Sequence, residues 1–289
     1  MTWEPNPLTY KNGNNHWQIT SHINRISLNH ILDDWTSALN QPCMKKWMLR
    51  QFTNNKVMEN LPTYISLVFG LTTILAVGLF YKATNNSRIT LLILLTWLAV
   101  QAFIGLSGFY TVTDTIPPRI LFLVLPPILF IVGLFTTSKG RQFIDSLDTK
   151  TLTILHTIRI PVEIVLFWLF INKTIPELMT FEGRNFDILS GLTAPIIFYF
   201  GFIKKQLGRN VILIWNFICL GLLIFIVANA VLSAPFPFQK FAFDQPNIAV
   251  LYFPFNWLPA CVVPIVLLSH LAVIRQLLKG HSLGSGQRV

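Results

Sequence analysis

Seven long apolar stretches dominate this chain, and they constrain its fold more than any other feature. They lie at residues 61–82, 88–113, 119–138, 152–172, 186–203, 210–233 and 250–274. About 20 apolar residues in helical form cross roughly 30 Å of hydrocarbon. A helix satisfies all its backbone polar groups inside lipid, and these stretches lack the alternation of a membrane β-barrel. The sequence therefore predicts an all-α polytopic membrane protein, a bundle of seven transmembrane helices.

The composition and the charge agree with that class. The chain is 53% hydrophobic and only 12% charged, whereas soluble domains carry roughly 25% charged residues. A net charge of +10 would suggest nucleic acid in a soluble protein. Here the basic residues fall mostly at the ends of the apolar stretches, where they meet anionic headgroups. We therefore expect the lipid bilayer as a partner, and not nucleic acid.

The basic residues also predict the orientation of the helices. Lys and Arg accumulate on the cytoplasmic side of membrane proteins. One set of predicted ends carries eleven of them: Lys82, Arg88, Lys139, Arg141, Lys150, Lys204, Lys205, Arg209, Arg275, Lys279 and Arg288. The opposite loops carry four: Arg119, Lys173, Arg184 and Lys240. This bias predicts an external N-terminus and a cytoplasmic C-terminus.

The chain divides into three parts by sequence. Residues 58–278 form the predicted seven-helix transmembrane domain, and residues 279–289 form a flexible cytoplasmic tail. Residues 1–57 are polar, and their basic residues Lys45, Lys46, Arg50 and Lys56 conflict with an external N-terminus. A translation start at Met58 would remove the conflict, so we expect residues 1–57 to be a disordered extension or no part of the native fold.

Four stretches carry a resemblance to a known group of proteins. They are Ile214-Trp-Asn216, Leu232-Ser-Ala-Pro235, Phe241-Ala-Phe-Asp-Gln-Pro-Asn247 and Leu251-Tyr-Phe-Pro-Phe-Asn-Trp-Leu-Pro259. From about residue 58 to residue 278 the chain resembles an uncharacterised family of bacterial multi-span integral membrane proteins. The resemblance implies a bacterial origin and a plasma-membrane location, and it brings no catalytic residue and no ligand.

The fourth apolar stretch contains the most informative polar residues. His156, Arg159 and Glu163 are spaced by three and four residues, which places them on one helix face. A charge near the bilayer centre costs ~2.5 kcal/mol or more, so each of these residues needs a partner. We expect Arg159 to pair with Glu163. The group then serves either as a ligand or proton site or as a neutralised pair that fixes helix packing.

Other polar residues also fall inside the apolar stretches. Gln101, Asn216 and Asn229 are expected to make interhelical hydrogen bonds or to face the Arg159 group. His156 and His270 each lie four residues from the cytoplasmic end of their predicted spans, or about 6 Å. Two histidines at equal depth suggest a third alternative, axial ligation of haem b.

No catalytic motif or metal-ligand motif accompanies these residues. Cys43, Cys219 and Cys261 form no C-x-x-C pair and support neither a disulfide framework nor a zinc site. Acidic residues of the external loops could in principle attract a divalent cation, but solvated helix ends explain them more simply. We expect small-molecule transport or ligand binding inside the bundle, without catalysis and without a cofactor. The alternatives are a structural or assembly subunit and a haem-binding redox protein.

Overall fold

A computed structural model describes residues 58–280 of the chain. Within this range the backbone forms helices and short turns and no β-strand. The helices are α1 (Thr63–Ala83), α2 (Arg88–Leu106), α3 (Leu121–Thr136), α4 (Ser138–Ser146), α5 (Thr149–Ile171), α6 (Ile188–Ile203), α7 (Arg209–Leu232) and α8 (Leu258–Leu278). The all-helical class is confirmed for these residues. The expectations for residues 1–57 and 281–289 lie outside the described range.

Five of these helices are long and apolar enough to cross a membrane: α1, α2, α5, α7 and α8. The number rises to six if α3 and α4, which meet at a bend of 96°, count as one span. The predicted fifth span corresponds to α6, which is shorter than these five helices. Length and composition therefore support five or six crossings, fewer than the seven predicted.

The bend between α3 and α4 follows from residues at the junction. Thr137 has an extended backbone, and its hydroxyl oxygen accepts a hydrogen bond from the Gly140 amide at 3.1 Å, which caps α4. A side chain at Gly140 would overlap the backbone of Leu134. Only glycine lets α4 fold back this closely onto α3. The apolar helix therefore ends at Thr136, and it is followed by a separate surface helix, α4, that the sequence analysis missed.

The short helix α6 begins partway along α5. Asp187, the residue before α6, contacts Arg159, which lies 12 residues before the end of α5 at Ile171. Twelve residues of α-helix span about 18 Å. Gly191 permits the close approach, since a Cβ there would lie 3.0 Å from the side chain of Ile160 and 3.2 Å from Cβ of Arg159. The first turn of α6 therefore packs against the middle of α5, with Gly191 buried and Leu189 exposed.

The centre of the bundle is α8. The buried share of residues is 72% in the most apolar part of α8, whereas it is 17% in the most apolar part of α2. It packs against α7 and against the first half of α5. Large apolar side chains of α1, α2, α3 and α7 point outward instead, among them Leu67, Ile89, Phe130 and Ile218.

Candidate functional site

Polar side chains from four parts of the chain meet at one level of the bundle. His156 and Asn216 lie seven residues from the starts of α5 and α7, and His270 lies eight residues before the end of α8. At 1.5 Å per residue these positions are about 10–12 Å from the helix ends. The depth is larger than the predicted 6 Å because α5 begins earlier and α8 ends later than the predicted spans. These three residues therefore lie at one level because their distances from the ends of their helices match.

We call this group the polar layer. None of its members has more than 6% of its surface exposed. The members are His156, Arg159, Glu163, Asn185, Asp187, Asn216 and His270.

Arg159 is the hub of the polar layer. Its Nη1 donates to Oδ1 of Asp187 at 2.5 Å, and its Nη2 lies 2.8 Å from Nε2 of His270. A guanidinium has donors only, so Nε2 of His270 must accept. The proton of the neutral ring then sits on Nδ1, which donates to Oδ1 of Asn216 at 2.9 Å. Nδ2 of Asn216 donates to the Ile212 carbonyl, so every assigned donor meets an acceptor.

The expected ion pair between Arg159 and Glu163 is wrong, because Arg159 has a different partner. The Arg159 guanidinium is paired with Asp187. Oε1 of Glu163 instead accepts a hydrogen bond from Nδ2 of Asn185 at 2.6 Å. Oδ1 of Asn185 accepts from the Asp187 amide at 3.0 Å, so the segment before α6 links both carboxylates. The physical reason is the inward start of α6, which brings Asp187 to the guanidinium.

His156 contacts His270 of the polar layer through the face of its ring. The imidazole rings of His156 and His270 stack with centroids 3.8 Å apart and an interplanar angle of 12°. The Trp215 ring packs against His156 edge-on at 5.7 Å, and its Nε1 donates to Oγ1 of Thr193. Both ring nitrogens of His156 and Oε2 of Glu163 are buried without a hydrogen-bond partner among residues 58–280.

This stacking does not fit the haem alternative. Axial histidines coordinate iron through ring nitrogens that face each other across the macrocycle. The faces of His156 and His270 are in contact instead, which leaves no space for a haem between them. The two histidines do meet at equal depth, as their sequence positions indicate, but in a packing arrangement.

Two expected members lie elsewhere. Oε1 of Gln101 accepts from the Tyr110 hydroxyl at 2.6 Å, and the Gln101 carbonyl accepts from Nδ2 of Asn256 at 2.7 Å. Asn229 is 13 residues beyond Asn216 on α7, or about 20 Å along the helix. Asn185 and Asp187 are the members that sequence reasoning missed. Their signal was the shortness of the fifth apolar stretch, which carries Asp187 near one end.

The polar layer is closed to the surface. No residue of the layer lines either of two grooves on the surface of residues 58–280. One groove, of about 550 Å³, lies among the loops that follow α5 and α7, and its lining includes Glu177, Glu182, Arg184 and Asp244. Among residues 58–280 no three His, Cys, Asp or Glu side chains are placed to hold a metal ion. The polar layer is therefore the candidate site.

Comparison with known proteins identifies a family. Residues 116–278, which include α3 to α8 and the whole polar layer, match the family described as Domain of unknown function (DUF8737). No curated protein and no solved structure matches the chain. Since the match covers more than half of the 289 residues, the chain belongs to the DUF8737 family.

Proposed function

We propose that the chain is an integral membrane protein that binds a small polar ligand or a proton in its polar layer. The membrane location is supported by five long apolar helices and by the large apolar side chains on their outer faces. The excess of basic residues at one set of ends favours an external N-terminus and a cytoplasmic C-terminus. The resemblance noted above favours a bacterial plasma membrane.

Thiol labelling in intact cells tests the location and the orientation. Lys205 and Lys240 lie on opposite predicted sides, and the cysteines Cys219 and Cys261 are buried. In a background with Cys43→Ser, we expect a membrane-impermeant maleimide to label Lys240→Cys in intact cells and Lys205→Cys only after permeabilisation. The reverse pattern would contradict the orientation, and recovery of the protein without membranes would contradict the location.

The observation that carries the ligand proposal is the incomplete pairing of the layer. Buried polar atoms in native proteins almost always have hydrogen-bond partners. In this layer both nitrogens of His156, Oε2 of Glu163 and Nε of Arg159 have no partner in the part of the chain that the structure describes. A ligand or a proton that supplies these partners would complete the layer.

The charges point to the kind of ligand. The charge of Arg159 is balanced by that of Asp187, with which it forms an ion pair. Glu163 has no basic partner within ion-pair distance among the described residues, and its hydrogen bond comes from the neutral amide of Asn185. An isolated buried carboxylate is costly, and a proton or a cationic group at Oε2 would offset that cost. The proposed ligand is therefore a proton or a small cationic solute.

The inward start of α6 also favours this proposal. Discontinuous helices that begin inside a bundle form the substrate and ion sites of many secondary transporters. In this chain the residues around that start, Asn185 and Asp187, are the ones that contact Glu163 and Arg159. Transport of the bound species is the activity that we test.

Proteoliposomes provide the test. Protein reconstituted around a trapped pH-sensitive dye is challenged with a panel of small cationic solutes, and the internal pH is recorded. We expect at least one solute to change the pH with the original protein and none to do so with Glu163→Gln. Glu182→Gln, in an external loop, is the matched control and should behave as the original protein. The same response in Glu163→Gln, or no response to any solute, would contradict the proposal.

A structural subunit is the second candidate, and the closure of the layer favours it. Every member is buried, and most polar atoms of the layer are bonded within it. Such a network fixes the packing of α5 to α8 without any ligand. In that case no solute would give a response in proteoliposomes, and Glu163→Gln would lower only the stability of the protein in detergent.

A further inference from the structure

The elbow between α3 and α4 forms a second groove, and no residue of the polar layer lines it. It has a volume of about 540 Å³. Its lining is mostly apolar, with one basic residue: Leu129, Phe130, Gly133, Leu134, Thr137, Lys139, Gly140 and Phe143. No described residue fills it.

The groove is preformed because α4 is held in place at both ends. At its start, Arg141 donates from Nη1 to the Thr136 carbonyl at 2.6 Å, which satisfies the end of α3. At its end, Asp145 pairs with Arg275, and Nε2 of Gln276 donates to the Ile144 and Leu147 carbonyls. The elbow is therefore a fixed part of the fold.

The walls of the groove suit a hydrocarbon chain. Leu129 and Phe130 are exposed, and Phe143 is half-buried on the facing helix. A Cβ added at Gly133 would meet no atom within 4 Å. This glycine therefore leaves open space in the middle of an apolar wall, where an acyl chain could lie.

The rim of the groove carries the complementary charge for an anionic headgroup. Lys139 is exposed and forms no ion pair among residues 58–280. It belongs to the set of eleven basic residues at the predicted cytoplasmic ends. A basic residue at the cytoplasmic surface attracts anionic lipids. We infer that this elbow groove binds one anionic phospholipid, with an acyl chain along Gly133 and the phosphate at Lys139.

This inference rests on the proposed membrane location, but not on the role of the polar layer. The test uses vesicles of equimolar phosphatidylglycerol and phosphatidylcholine with identical acyl chains. Protein from these vesicles is released in mild detergent, and native mass spectrometry records which lipid each chain retains. We expect the original protein to retain one phosphatidylglycerol per chain in preference to phosphatidylcholine.

Two variants with matched controls locate the site. Lys139→Gln should reduce the preference for phosphatidylglycerol about fivefold, whereas Lys205→Gln, at the same predicted side in the loop between α6 and α7, should not. Gly133→Phe should remove the retained lipid of either kind by filling the groove. Gly221→Phe, on the outer face of α7 where a Cβ also meets no atom within 4 Å, should retain it.

Failure of the inference and failure of the membrane proposal are distinguishable. Protein that does not enter the vesicles overturns the membrane location. Protein that enters them but retains both lipids equally, or whose Lys139 and Lys205 variants behave alike, overturns the lipid site alone. Retention in Gly133→Phe equal to that in Gly221→Phe also overturns it, since the lipid is then bulk lipid around the bundle.

Discussion

Two ionic groups in this protein have similar geometry and opposite surroundings. In the polar layer, the side chains of Arg159 and Asp187 are 3% and 8% exposed. Between α4 and α8, Asp145 accepts from Nε of Arg275 at 2.8 Å and from Nζ of Lys279 at 2.7 Å, with side chains 19%, 20% and 43% exposed. Both groups join elements that are distant in sequence.

The difference in burial decides what each group contributes. Water solvates the charges around Asp145 when a partner is lost, so such a pair contributes about 0–1 kcal/mol. Asp187 and Arg159 are almost completely buried, so the loss of one partner leaves an uncompensated buried charge. The buried group therefore makes the arrangement of α5 and α6 specific, whereas the surface group only secures α4.

Breaking the buried pair should have the largest effect. We expect Arg159→Met to lower the free energy of unfolding by about 3–5 kcal/mol, because Asp187 would remain charged without a partner. The double variant Arg159→Met with Asp187→Leu should recover most of this loss, since both charges are removed. Denaturant unfolding in detergent measures all three proteins. A double variant as unstable as the single one would show that the pair does not act as a unit.

The stacked histidines separate the two candidate functions within the same layer. His270→Phe should cost about 1–3 kcal/mol, because it leaves Nη2 of Arg159 and Oδ1 of Asn216 without partners. His156→Phe keeps an aromatic ring against His270 and removes two nitrogens that have no partner among residues 58–280, so we expect a smaller loss than for His270→Phe, at most about 1.5 kcal/mol. Thermal and denaturant unfolding compare the two.

The activity of His156→Phe then completes this test. If the layer binds a ligand, the variant should keep its stability and lose the solute response in proteoliposomes. If the variant keeps both its stability and the solute response, His156 contributes only to packing. A large loss of stability would show that its nitrogens have partners in the native protein.

The close approach of α6 to α5 can be tested at Gly191. Gly191→Leu should cost about 1–3 kcal/mol, because the added atoms would displace Ile160 and Arg159. Gly221→Leu, on the outer face of α7, should be neutral or stabilising by up to about 1 kcal/mol, since leucine favours a helix more than glycine does. Equal effects at the two positions would contradict the close packing of α6.

The surface group should give the smallest effect, with a defined pH dependence. Burial of Asp145 by itself raises its pKa, but the hydrogen bonds and charges of Arg275 and Lys279 outweigh this, so the pKa is lowered from 3.8. Its contribution is therefore present above pH 3.8 and is lost as the pH falls through the lowered value. Asp145→Asn should cost at most about 1 kcal/mol at neutral pH.

Changes of salt concentration and of pH serve as controls for the prediction at Asp145. High salt should weaken the contribution of Asp145 at neutral pH, because exposed charges are screened. The stability of the original protein and of Asp145→Asn should converge as the pH falls below 3.8. A difference that persists in acid would assign the effect to packing instead.

Some of the candidate site was predictable because helix register is regular. Position along a helix converts to depth at 1.5 Å per residue, so the sequence alone places His156 and His270 at one level. It also places His156, Arg159 and Glu163 on one face of α5. The partner of Arg159 was not predictable, because Asp187 reaches it only through the inward start of α6. That start depends on the fold of residues 172–187 and on the space left by Gly191.

The long apolar stretches by themselves determined that residues 58–280 fold into helices, since their length and composition leave no other way to satisfy the backbone. They also set the outward apolar faces and the basic ends. Only the tertiary structure decided that one stretch bends at Thr137 and another begins inside the bundle. The physical reason is that both outcomes depend on contacts with other helices, of Asp145 with Arg275 on α8 and of Asp187 with Arg159 on α5, which the local sequence does not encode.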